Sequence, residues 1–457
     1  MIYFLMHKDV PVLTFELDET NQIKKVIEIF NLNHLPFSTD RDINLNHKSI
    51  IEWWRDRSIP LTRDEYSNIK KALPDDDPYS LVVKAHALSL DDQYWIKNKD
   101  ENINYDDISF FSNKFSNDIG DIIVGNKESG DINYYSPDST SNGNLKKRWK
   151  IINGEKYLLK AGTKPNQYEI FNEIIASAIM ELLNIDHVSY SLIIDDGHIY
   201  CGSKNFISYN EDFVTAYQLR CSKKQQNDVS LYNHLLSIYE SLNIPNHQEK
   251  IDQMLFIDFL IGNVDRHLNN FGVIRDAKTL EFIRATPIYD SGSSLGYDLT
   301  DEELSNALYL DWKPFQSQKN KTQLDLIKDY SWLNIDALKT IPYEVNNLLL
   351  KYNKYVSNVR RELIISFIVK RLNLIFRHLG ISYEIEFNSF ELNQLERRII
   401  KYVESNNNEL INLTGLIKET SFSYITIYRA VSNLTKKGVL KRIGSNKNGY
   451  WKLSKPI

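Results

Sequence analysis

The chain has 457 residues, 42% hydrophobic and 25% charged, with a net charge of −5. These totals suit about three domains of ~150 residues. They exclude a long disordered chain and a polycation, so any nucleic-acid role must be local. Two cysteines, Cys201 and Cys221, show neither metal-ligand spacing nor a disulfide framework, which fits a reducing compartment. The apolar start MIYFLM is too short and lacks the basic flank of a signal peptide. Charged residues break every apolar run well before ~20 residues. A cytoplasmic protein without membrane contact is expected.

Residues 1–110 are expected to form a small α/β domain. VPVLTFEL alternates like a strand, and SIIEWWRDRSIP reads as a helix ending before Pro60. Trp53, Trp54, Tyr94 and Trp95 are expected to anchor its core, as bulky aromatics usually do. Residues 112–147, rich in Ser, Asn, Asp and Gly, read mostly as loop. RWKIING and EKYLLKAG flank Asn153-Gly154, the strongest short-range hairpin signal. QYEIFNEIIASAIMELL has helical spacing, with Asn184 as its stop, and VSYSLIID and HIYCGSKNFI make another strand pair. From about 215 to 385 the pattern is mainly helical.

From residue 390 the balance changes. Phe390–Ile457 holds 12 Lys and Arg against 5 Asp and Glu, although the whole chain is acidic. Three helical patterns followed by the strand pair VLKRIG and GYWKLS give the layout of a winged helix-turn-helix. In its third helix Ile425, Val431 and Leu434 are expected to face inward. Tyr424, Thr426, Arg429, Asn433 and Lys436 are expected to face DNA, with Lys447 near phosphates in the wing. A solvated basic face or a protein-docking module would have the same composition.

The chemistry concentrates in GNVDRHLNNFG (262–272), directly after the apolar run MLFIDFLI. If that run is a helix ending near Gly262, two short strands, FGVI and LEFIRA, bring PIYDSGSS back beside the loop. Asn270 and Asp290 then suit a hard cation such as Mg²⁺, which takes oxygen ligands from one or two side chains plus phosphates. Asp265 is left to accept a proton from an attacking hydroxyl. Alone, Asp-x-x-x-x-Asn is more simply a helix cap. Two upstream parts change the balance: Lys160 inside the apolar strand KYLLKAG, and Glu173 on the next helix, with Glu169 one turn earlier. A strand lysine paired with a helix glutamate over nucleotide phosphates is a kinase arrangement. The candidate phosphate-covering segment is SPDSTSNGNLKK (136–147), with Ser139, Thr140, Ser141 and Gly143 as contacts.

NVDRHLNNFG followed by PIYDSGSS resembles the HipA-like serine/threonine kinases, the toxin-type bacterial kinases. The resemblance covers roughly 130–385 and implies Asp265 as the catalytic residue, Asn270 and Asp290 as Mg²⁺ ligands, and Lys160 with Glu173 on ATP. WWRDRSIP and LSLDDQYWI are similar to the N-terminal regions of one HipA-like subgroup. The implied fold is α+β: a two-lobed protein-kinase-like domain over 111–388, with an N-lobe at about 130–210 and a helical C-lobe at 211–388. It is flanked by the N-terminal domain (1–110) and the winged helix (389–457). The resemblance also implies a protein substrate and a regulatory autophosphorylated serine, whose candidate equivalents here are Ser136, Ser139, Thr140 and Ser141. An antitoxin-type partner is known in the family, whereas this chain carries its own basic tail. The alternative is a DNA-binding transcriptional regulator whose kinase-like domain senses nucleotide; a small-molecule or lipid kinase would share the same motifs.

Overall fold

In the computed structural model the described residues are 1–37, 47–63, 66–128, 130–141, 143, 145–310, 312, 315, 320–385, 394–405, 411–420, 422–436, 439–444 and 449–453. The first 98 residues build an antiparallel sheet from β1 (Ile2–His7), β2 (Val10–Leu17), β3 (Ile23–Ile29) and β4 (Tyr94–Asn98), in the order β3-β2-β1-β4. Helices α1 (His47–Asp56), α2 (Tyr66–Ala72) and α3 (Pro78–Lys84) lie between β3 and β4. The helix α3 starts on an Asp77–Ser80 capping box with Pro78 in its first turn. Trp53, Trp54 and Tyr94 are buried with Leu5, Val12 and Phe15, and Trp95 is buried on the other side with Tyr105 and Phe110. Packing is thus what those four aromatics do.

Two short helices follow, α4 (Tyr105–Ile108) and α5 (Asp118–Val124), and then a 3-10 turn at Pro137–Thr140. The second sheet, ordered β5-β6-β8-β7, contains β5 (Lys147–Ile152), β6 (Glu155–Lys160), β7 (Ser191–Asp195) and β8 (His198–Lys204). Asn153 and Gly154 take φ of +52° and +84°, the left-handed pair that matches the twist of a two-residue hairpin. Helix α6 (Tyr168–Leu182) runs from this sheet to the helical region, touching β7 and β8 on one side and later helices on the other.

A three-stranded sheet, β11-β10-β9, joins the sheet-rich and helical parts; it consists of β9 (Glu211–Thr215), β10 (Gly272–Asp276) and β11 (Phe282–Ala285). Around it lie α7 (Ala216–Ser222), α8 (Leu231–Ser241), α9 (His247–Ile261), α10 (Asp301–Asn306), α11 (Ile335–Lys351) and α12 (Asn358–His378). From Ile251 to Ile261 every residue of α9 is buried, so it is a central helix rather than an amphipathic surface one. The chain ends with α13 (Gln394–Ser405), α14 (Leu413–Thr420), α15 (Tyr424–Lys436) and the antiparallel pair β12 (Leu440–Ile443) and β13 (Tyr450–Leu453). The architecture is α+β.

Candidate active site

Helix α9 stops where the sequence expects it to. Gly262 takes φ +62° and sends its N–H back to Asp258 and Phe259 carbonyls, as a left-handed C-cap does. The turn that follows is organised from beneath by Arg266, which is fully buried. Its Nε and Nη2 donate to both oxygens of Asp258, at 2.9 Å each. Nη1 donates to Asn270 O at 3.1 Å and to Tyr289 O, while Nη2 also reaches Ser291 Oγ at 3.0 Å. One guanidinium therefore binds the helix, the turn and the segment after β11 together. Asn263 adds a bond to Asp258 at 2.9 Å and accepts one from the Asp265 N–H at 3.1 Å. Val264 N–H donates to Ser293 O at 3.0 Å, closing the turn onto the same segment.

Asp265 is half-buried, and Asn270 is buried with its amide nitrogen on Asp265 O at 2.9 Å. That bond employs the amide N–H and leaves the carbonyl oxygen of Asn270, the atom a hard cation takes, outside it. Lys160 ends β6 and points at two carboxylates: Glu173 Oε1 at 3.2 Å and Asp290 Oδ1 at 2.5 Å. Tyr190 OH lies 3.4 Å from its Nζ. The structure places Glu173, not Glu169, against Lys160; Glu169 accepts the Thr163 N–H at 3.1 Å. The other oxygen of Glu173 accepts the Ser291 N–H at 2.8 Å, so α6 grips both the lysine and the Asp290 segment. Asp290 has φ +57°, an uncommon conformation outside glycine that marks a position held by its surroundings.

Burial by itself would discharge this cluster. For Lys160 that penalty is outweighed by Asp290, Tyr190 and Glu173, and its pKa stands well above the usual lysine value. Burial also pushes Asp290 upward, but Lys160 overcomes this and holds the carboxyl at about 2. Glu173 is raised, burial being opposed by Lys160. The cluster therefore keeps a permanent cation beside an ionised Asp290.

Among the described residues no three His, Cys, Asp or Glu side chains converge as a metal cluster. The Asn270–Asp290 set still fits Mg²⁺, which needs only one or two protein oxygens and completes its shell with water and phosphate. Asp290 keeps 31% of its side chain exposed.

Other candidates lie apart from this cluster. Ser139 Oγ donates to Tyr134 O at 3.2 Å and Thr140 Oγ1 to Leu88 O at 2.6 Å. These two and Ser141 are buried, so the 136–141 segment is a packed 3-10 turn, not the open loop its composition suggests. Of the four, Gly143 alone lies against Lys147. In α15, Tyr424, Thr426, Arg429 and Asn433 are exposed. Ile425, expected inside, is 63% exposed, and Ile427 takes its place in the core with Val431 and Leu434. The rotation of about 200° between 425 and 427 decides which isoleucine faces α13 and α14. Lys436 ends the helix, and Lys447 lies outside the described residues.

Asp258 and Tyr190 went unrecognised in sequence. A lone carboxylate inside MLFIDFLI was a signal, since it cannot be buried without a partner. Nothing in the sequence pointed to Tyr190.

Residues 142–352 match the family model of the HipA-like C-terminal domain. A curated relative, the serine/threonine-protein kinase CtkA of Helicobacter pylori, is 27% identical over 158 residues, which is 32% of this chain and 48% of that protein. The match thus spans about half the length of the relative. Among solved structures, a Helicobacter pylori proinflammatory kinase CtkA superposes with a TM-score of 0.39 at 18% identity, covering 51% of this chain and 95% of that one. A Shewanella oneidensis HipA, HipB and operator DNA complex gives 0.49 at 12%, covering 83% and 98%. Residues 142–352, which hold both the Lys160 cluster and the 262–272 turn, are thus similar to the HipA-like C-terminal domain, and part of the chain is similar to a serine/threonine-protein kinase.

Proposed function

We propose that this protein is an ATP- and Mg²⁺-dependent serine/threonine kinase of the HipA-like type, acting on a protein substrate and on itself. The observation that carries the proposal is Lys160 held between Glu173 and Asp290, on a segment that Arg266 fastens to the Asp265–Asn270 turn. Lys160, fully charged at neutral pH, orients phosphate oxygens. Asp265 accepts the proton of the acceptor hydroxyl as the oxygen attacks. Asn270 and Asp290 would hold Mg²⁺, which neutralises charge on the phosphates when bound. Glu173 and Arg266 act by holding Lys160 and the turn in register. The domain boundaries at 110 and 388 belong to the same proposal.

Incubation with labelled ATP and Mg²⁺ tests it. The wild type is expected to label itself or a protein substrate, and Asp265→Ala and Asp290→Ala to lower labelling at least a thousandfold. Equal labelling of all three proteins would reject the assignment.

A second role is supported by the tail's charge and by the exposed Tyr424, Thr426, Arg429 and Asn433 on α15. We propose that residues 389–457 form a winged helix that binds DNA, so the kinase or a nucleotide-sensing regulator is brought to its own operator, with or without an antitoxin-type partner. Gel shifts on genomic fragments, comparing the full chain with one lacking 390–457, test this. Binding that survives removal of the tail would rule it out.

A further inference from the structure

The segment entering β5 is fastened to the N-terminal sheet unit. Arg63, only 2% exposed, donates to Gly143 O through Nε at 2.8 Å and Nη2 at 2.6 Å, and to Ser141 O through Nη2 at 2.8 Å. Thr140 adds its bond to Leu88 O. The carbonyls of Ser141 and Gly143 are thus both turned toward the guanidinium, and Gly143 takes φ +94°, open to glycine at low cost. The Lys147 side chain folds over this glycine so closely that a Cβ there would lie 2.9 Å from Nζ.

Lys147 stands opposite Lys160 across the β5–β6 pair. Among the described residues its ammonium has no hydrogen-bond or ion-pair partner. The charges acting on it are Arg63 and Lys160, of its own sign, and Asp290 and Asp91. Burial first, then the two like charges, lower its pKa to about 8. Positive charge is therefore gathered at the edge of the Lys160–Asp290 cluster, with one lysine left for an anion that the protein does not supply.

We propose that Lys147 is a second phosphate-binding cation beside Lys160, and that Arg63 is the positioning residue that keeps it there through the Ser141 and Gly143 carbonyls. The proposal rests on the nucleotide reading above. It makes the N-terminal unit part of the nucleotide site: a multiply charged phosphate chain is the ligand chemistry that suits two adjacent cations, Lys160 bonded to Glu173 and Asp290 and Lys147 bonded to neither. Adenosine, lacking phosphates, gains nothing from Lys147.

Calorimetric titration of the full chain with ATP and Mg²⁺, and separately with adenosine, tests this. Lys147→Met and Arg63→Gln are each expected to weaken ATP about tenfold and to leave adenosine unchanged. The double variant is expected to be no weaker than Lys147→Met alone, because both act through one ammonium; a purely structural role for Arg63 would instead add its own loss. Lys147→Arg should retain most of the affinity. ATP binding by Lys147→Met within twofold of wild type would overturn the proposal while leaving the kinase reading intact. Failure of the wild type to bind ATP at all would overturn both.

Discussion

Arg266 and Asp258 form an ion pair with almost no solvent access, 1% and 2% exposed. Removing one partner of such a pair leaves an uncompensated buried charge, which typically costs about 3–5 kcal/mol. Arg266→Met is therefore expected to lower stability by about that amount and to abolish labelling, as measured by urea denaturation and by the labelled-ATP assay. Asp290 adds a pH signature. Its folded pKa of about 2 lies below the ordinary 3.8, so its ion pair contributes stability that is complete above about pH 4 and is lost as the pH falls through 2. Asp290→Asn should flatten this acid limb and cost about 1–2 kcal/mol at pH 7, after discounting for partial exposure. A variant whose acid limb matches wild type would show that Lys160 does not hold Asp290.

Elements meet at glycines and turns, and two of these can be tested. At Gly262 a Cβ would lie 2.7 Å from the Phe367 ring of α12, in addition to the positive φ. Gly262→Ala should destabilise the protein by about 1–3 kcal/mol and displace the start of the Asp265 turn. Chemical denaturation and activity should fall together. The 3-10 turn at Pro137–Thr140 contains Asp138, fully buried, whose Oδ1 accepts the Trp149 N–H at 2.8 Å. Burial, only partly opposed by that bond and by Arg148, raises its pKa to about 7. The unfolded chain ionises this group near ~3.9, so wild-type stability should decline as pH rises from about 4 to 7. Asp138→Asn keeps an acceptor for Trp149 and removes the decline, giving about 1–3 kcal/mol more stability at pH 7.5. Melting curves at pH 5 and pH 7.5 would show it; parallel shifts in both proteins would contradict it.

At the scale of the molecule, the N-terminal sheet and the central β9–β10 pair share a buried polar junction. Asp212 accepts from His7 Nε2 and Arg275 Nε, both at 3.0 Å, and from the Gln93 N–H at 3.0 Å. Arg275 also donates to Tyr94 OH at 2.7 Å. Burial opposes the charge on Asp212, but His7 and Arg275 outweigh it and hold the pKa at about 2, so the junction should persist until strongly acid pH. Asp212→Ala strands the Arg275 cation and should cost about 3–5 kcal/mol. Limited proteolysis is expected to release a fragment of the first hundred or so residues faster from this variant; equal cleavage rates would show that the junction does not hold the two parts together.

Local chemistry made much of this chain legible before any folding. Periodicity marked α6, an apolar run ending at a glycine marked the end of α9, Asn153-Gly154 marked its hairpin, and the order Lys160, Glu173, Asp265, Asn270, Asp290 picked out residues that the fold brings to one cluster or to the turn bonded to it. Such features depend on near neighbours and on backbone preference, which a sequence carries explicitly. What depended on distant partners was not legible. Ile425 and Ile427 have the same hydrophobicity, and only the packing of three helices chose between them. The 136–141 segment has a loop's composition yet is buried, because Arg63 and Leu88 supply its hydrogen-bond partners from more than 50 residues away. Sequence by itself determined which groups carry charge and in what order; tertiary structure decided which of those charges are paired, since only burial and a partner across the fold set that balance.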